Sequence, residues 1–187
     1  MSAEEFSRYD SMKLFLHQIY EFQKGVRSLV LCTMCRTCAS PLSERLERLG
    51  IAYRIQSGNK SVAVATDLGH FNQYTIDHLL DLDAVLLESN HDLRMLETGP
   101  YPYYLKRRIM GDFGHLSNEN AGRLLNCILS GRLKHILLGH LSKENNMPEL
   151  AYETVRLEID MGDCPYHADD FHLAVAKRDE MSEIISL

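Results

Sequence analysis

Two short, branched, uncharged runs stand out in the middle of the chain: Ser61-Val-Ala-Val-Ala-Thr66, which runs into Asp67, and Ile136-Leu-Leu-Gly139, which runs into His140. Such runs are too short for a buried helix and read as buried strands. Each is followed by a residue that can bind a metal. Ile51 to Ile55 alternates in polarity, and Ser57-Gly58-Asn59-Lys60 has turn chemistry, so residues 51–66 are expected to form a β-hairpin. After it the pattern predicts a helix over Gln73 to Leu82 and a strand over Ala84 to Glu88. Pro102 opens a helix carrying Lys106, Arg107 and Arg108, and Ser117 caps a helix from Asn118 to about Leu129. A strand over Lys134 to Gly139, a helix over Pro148 to Val155 and a closing strand over Phe171 to Ala176 complete the series. The polar stretch from Asp160 to Asp170 reads as a mobile loop. Strands alternating with helices predict an α/β sheet, in which ligands sit in the crevice at the carboxyl ends of the strands. Asp67 and His140 would face one another across it.

The first fifty residues have a different pattern. Phe6, Met12, Leu14, Phe15, Ile19, Tyr20 and Phe22 recur at mostly helical spacing between Glu4 and Lys24, with Gly25 as a stop. Ser28 to Cys32 suits a short strand, and Pro41 to Leu49, followed by Gly50, a helix. The chain therefore divides into a mainly helical segment, 1–50, and an α/β part, 51–187. Cys32, Cys35 and Cys38 have a spacing at which thiolates converge on zinc or an iron–sulfur cluster, but no fourth ligand is recognisable. Three reduced cysteines beside a strand is the alternative.

Composition narrows the picture in three ways. With 187 residues, 45% hydrophobic and 25% charged, the chain has enough material for one domain with a sizeable core. A formal charge of −6 argues against holding nucleic acid by charge alone, although bound cations change the local field. Five cysteines, three of them crowded together, do not suggest a disulfide framework. No run approaches a membrane-spanning length, so the expected setting is cytoplasmic, with no membrane partner.

Five polar signatures then fall in order: Val64-Ala-Thr-Asp-Leu-Gly69, Leu87-Glu-Ser-Asn-His-Asp92, Lys106-Arg-Arg-Ile109, Gly114-His-Leu-Ser-Asn-Glu119 and Gly139-His-Leu-Ser-Lys-Glu-Asn-Asn146. Between Ile51 and Lys177 the sequence resembles the C-terminal half of the metallo-β-lactamase superfamily, and within it the WalJ/YycJ-like branch of nucleases. The resemblance implies the C-terminal half of an αββα sandwich. It does not extend to residues 1–50, and the superfamily's His-x-His-x-Asp-His string occurs nowhere in the chain.

The resemblance also implies roles. Asp67 matches the carboxylate that bridges two metals, and His140 a ligand of the second metal. Without the resemblance, Asp67 reads as a helix N-cap and His140 as a capped strand end. His115 matches the histidine of related phosphodiesterases that contacts the scissile phosphate and assists the leaving group, a general-acid role. Glu88 and His91 resemble residues that orient ligands, or else a strand end satisfied by local hydrogen bonds. Ser117 and Asn118 either contact substrate or cap the following helix. Lys106, Arg107 and Arg108, with Tyr101, Tyr103 and Tyr104 nearby, have the composition of a nucleic-acid-facing surface, though a three-residue charge run also suits a solvated helix.

Two functions follow. One is a metal-dependent phosphodiesterase, a DNA exonuclease by resemblance, using Zn²⁺ or Mn²⁺ bound weakly because most ligands are missing. The other is a non-catalytic remnant, or one half of a split hydrolase. A half-sandwich would leave one sheet face apolar and in need of cover from residues 1–50, a complementary half-domain or a second copy.

Overall fold

The computed structural model describes residues 51–57, 59–179, 182 and 185–187. The helices and strand expected within residues 1–50, and Cys32, Cys35 and Cys38, lie outside the described residues.

The elements run β1 (Ile51–Ser57), β2 (Lys60–Thr66), α1 (Gln73–Leu79), β3 (Ala84–Glu88), α2 (Leu93–Thr98), α3 (Tyr103–Ile109), α4 (Asn118–Ile128), β4 (His135–Gly139), α5 (Pro148–Asp160), a 3₁₀ turn (Ala168–Asp170) and β5 (His172–Val175). One mixed sheet takes the strands in sequence order. The β1–β2 hairpin is antiparallel, with Ile51 opposite Thr66, and every other pair is parallel. The fold class is therefore α/β, as the alternation of strands and helices predicts.

Side chains on a strand alternate between faces, and the two faces of this sheet differ. Ala63, Ala65, Val85, Leu87, Ile136 and Leu138 pack with Leu79 of α1, Leu124, Leu125 and Ile128 of α4, and Val155 and Ile159 of α5 in the main core. Between them, Val64 and Leu86 point the other way and join Tyr53, Ile55 and Val62 in a small cluster that, among the described residues, draws on strands alone. Parallel strands are normally buried on both faces, and the second face of this sheet carries an apolar cluster of its own.

Several elements differ from expectation. Strands β1 and β2 run closer to the turn than predicted, because Gln56 and Ser57 pair with Ser61 and Lys60. Helix α5 continues past Val155 to Asp160, burying Ile159 one turn on. The loop after it is tethered: Ala168 N donates to Asp160 Oδ1 at 2.9 Å, and Cys164 Sγ to Asn126 Oδ1 at 3.0 Å. Helix α2 goes unpredicted from the pattern. Six residues are too few for a period to show, and the helix rests on its Asp92 cap, which accepts from Met95 N at 2.7 Å.

Candidate metal centre

The registers Ala65 opposite Leu87 and Glu88 opposite Gly139 align the carboxyl ends of β2, β3 and β4. Asp67 follows β2, Glu88 ends β3, and His140 follows β4. His115 arrives from the segment before α4. That segment is laced to the residues after β3 by Asn90 N donating to Leu116 O and Asn118 N to His91 O, both at 2.9 Å.

Asp67, His115 and His140 each offer one ligand atom, and these atoms all lie within 4.8 Å of one another. The side chains are 30%, 16% and 19% exposed, so the cluster opens to solvent while its support does not. That support is Glu88, which is fully buried. Its Oε1 accepts from His115 Nδ1 at 2.7 Å and from His140 Nδ1 at 2.6 Å. Its Oε2 accepts from Leu68 N at 2.8 Å, fixing the residue after Asp67, and from Leu116 N at 3.5 Å, the residue after His115. One carboxylate thus locates all three corners.

Burial alone would raise the Glu88 pKa. The charges and hydrogen bonds of His140 and His115 outweigh it and hold the carboxyl down to about 2. An ionised carboxylate only accepts, so each ring places its proton on Nδ1 and keeps a lone pair on Nε2, the form in which imidazole binds a metal. Asp67 and His140 both sit at φ 56°, in the left-handed region that non-glycine residues seldom adopt. Both turns are held from outside. Asn90 Nδ2 donates to His140 O at 2.7 Å, and a Cβ on Gly69 would lie 2.3 Å from Asp112 O, so only glycine lets the loop before His115 close against the Asp67 corner. Strain of this kind concentrates where a side chain must be aimed.

The remaining sequence candidates take other places. His91 is buried, its Nδ1 has no hydrogen-bond partner among the described residues, and it does not touch Glu88 or the three ligand candidates by a hydrogen bond. Burial chiefly lowers its pKa to about 4. Ser117 Oγ accepts from Asn120 N at 3.2 Å as the cap of α4. Asn118 is buried in an amide pair with Asn146, and Ser89 Oγ donates to it at 2.6 Å. Lys106 Nζ donates to Glu97 O and Gly99 O, both at 2.7 Å, closing the end of α2. Arg107 and Arg108 are exposed, and their side chains make no hydrogen bond or ion pair among the described residues. Sequence reasoning gives His115 a substrate-directed role alone. The structure also places it within metal reach, for which its spacing offers no signal, because Glu88 is what draws it there.

The donor set suits a divalent cation: one carboxylate oxygen and two imidazole nitrogens in the tautomer that ligation needs, backed by a buried acceptor. Three ligands leave positions open.

The chain is 40% identical over 111 residues to an exodeoxyribonuclease WalJ of Streptococcus pneumoniae, covering 59% of this chain and 41% of that protein. It is 40% identical over 103 residues to an exodeoxyribonuclease YycJ of Bacillus anthracis, covering 55% and 39%. The resemblance carried by the five signatures is thus found in curated proteins, of whose length the chain spans about two-fifths. Residues 13–76 match a family described as a protein of unknown function (DUF2023), a match that crosses residue 50. A solved diphosphatase of the PhnP family aligns over 65% of this chain and 34% of its own, at 17% identity and a TM-score of 0.34.

Proposed function

We propose that the chain carries part of the active centre of a metal-dependent phosphodiester hydrolase acting on DNA ends, and that it needs ligands from elsewhere to complete it. The observation that supports this best is the cluster of Asp67, His115 and His140 on one buried Glu88, lying in a chain similar to proteins named exodeoxyribonucleases. A divalent cation held there would polarise a phosphoryl oxygen and make water more acidic. Asp67 and His140 hold that cation and Glu88 keeps both rings in the ligating tautomer. His115 either joins them as a ligand through Nε2 or, once a second proton is taken up on Nε2, passes that proton to the leaving oxygen. Arg107 and Arg108 face the phosphate backbone.

The missing ligands decide activity. A second cation needs a donor set of its own, and the chain contains no His-x-His-x-Asp-His string. Purified chain with Mn²⁺ is expected to cleave single-stranded and duplex DNA little or not at all. Adding a segment that carries that string, in cis or in trans, is expected to produce cleavage that falls in His115→Ala. Robust cleavage by the unaided chain, abolished by Asp67→Ala, would show that the ligands are already complete.

A second reading, a half-domain that works by binding its complement, is favoured by the strand-only apolar cluster of Tyr53, Ile55, Val62, Val64 and Leu86. It predicts self-association or hydrophobic-dye binding. A monodisperse monomer in light scattering that binds no dye counts against it.

A further inference from the structure

Phe113 stands two residues before His115 and is 64% exposed, an unusual place for a large aromatic ring. Its exposure does not come from a loose loop. Gly114 N donates to Gly111 O at 2.8 Å and His115 N to Ile109 O at 2.9 Å, closing the turn onto the end of α3. On the other side, His70 Nδ1 meets Asp112 O at 3.1 Å. A Cβ on Gly114 would lie 1.9 Å from Ile109 O, so the turn closes this tightly only with glycine there. The backbone on both sides of Phe113 is therefore fixed, one strand end away from Asp67, and its ring is presented to solvent.

The surroundings indicate what such a ring meets. Arg107 and Arg108 lie free on the last turn of α3, and Met110, between them and Phe113, is 41% exposed. Cations beside an exposed aromatic ring are the elements of a single-strand platform, on which arginines follow the backbone and the ring stacks a base. Asp112, exposed on the same turn, disfavours a phosphate there, so the contact made at Phe113 is with a base. Two residues of chain span at most about 7 Å, so the backbone that carries Phe113 lies within that distance of the backbone that carries His115.

We propose that Phe113 is a specificity-determining residue that stacks the unpaired base next to the phosphate addressed by His115, so that the substrate is a single strand or a frayed end. A base inside an intact duplex has no free face to offer. This rests on the phosphodiesterase reading above, and the test separates the two.

The chain contains no tryptophan, so Phe113→Trp introduces a unique fluorophore at the proposed contact. Full-length Phe113→Trp is titrated with a short oligothymidylate and with an abasic oligomer of equal length, with binding followed in parallel by anisotropy of labelled oligomers. The expected result is saturable quenching by oligothymidylate and none by the bound abasic oligomer. Phe113→Ala is expected to bind oligothymidylate about 5- to 100-fold more weakly than wild type, with abasic binding unchanged and Phe113→Trp near wild type. Wild-type affinity in Phe113→Ala, or unquenched emission from Phe113→Trp with oligothymidylate bound, overturns the stacking role and leaves the phosphodiesterase reading standing. If the wild-type chain binds neither oligomer, that reading fails and takes this one with it.

Discussion

Glu88 accepts from two imidazole rings and two backbone N–H groups without any exposure to water, so its charge has no solvent to fall back on if those donors are lost. Glu88→Gln keeps the shape but replaces one accepting oxygen with a donor that opposes Nδ1–H or N–H. The expected cost is about 3 kcal/mol of stability, in line with breaking a buried charge pair. Metal affinity should fall by roughly 10- to 100-fold, as it does when a ligand loses its orienting partner. Urea unfolding and metal titration of the variant check both, and unchanged affinity would show that the rings are held by packing alone. His91 gives a second, pH-dependent expectation. Burial lowers its pKa to about 4 from the ordinary 6.5, so on acidification the unfolded chain takes up a proton before the folded one does. Stability is expected to fall as pH drops from 6.5 to 4, and then further between 4.5 and about 2 as Glu88 is protonated. Urea midpoints at pH 7, 5 and 4 measure this. His91→Asn should flatten the upper part of the profile, and a parallel profile would assign the loss to other groups.

At the scale of elements, strand ends and caps were legible and tertiary roles were not. Ala84–Glu88 and the Ser117 cap follow from residue type alone, because a short apolar run and a serine before a helix carry local physics. Asp67 and His140 stand at strand ends for the same reason. That Glu88 serves both histidines depends on the pairing of Glu88 with Gly139, which no local pattern encodes. Lys106 reads as one of three equivalent cations, yet only the fold brings it to the end of α2. Asp83 is a similar case at the opposite end of the sheet. Its carboxylate accepts from Ser61 N at 2.7 Å, from Arg132 Nη2 at 2.7 Å and from Lys60 Nζ at 3.4 Å, tying the hairpin to the approach of β4. Although burial raises its pKa, the bonds from Arg132 and Ser61 bring it below the ordinary value. Asp83→Ala is expected to lose about 2 kcal/mol, since it leaves the Ser61 N–H buried without a partner. Metal binding should be unchanged. A loss of metal affinity equal to that of Glu88→Gln would mean that the two ends of the sheet are coupled.

At the scale of the whole molecule, an acidic chain carries a three-residue ligand cluster on a sheet whose second face draws, among the described residues, on strands alone. None of the described helices is long and apolar enough to cross a membrane. Among the described residues the cluster offers three ligand candidates, enough to hold one cation. Calorimetric titration of Mn²⁺ or Zn²⁺ into the purified chain, and into Asp67→Ala, tests that most directly. The predicted result is weak binding of a single ion, lost in Asp67→Ala. Tight binding of two ions per chain, unchanged in Asp67→Ala, would contradict it.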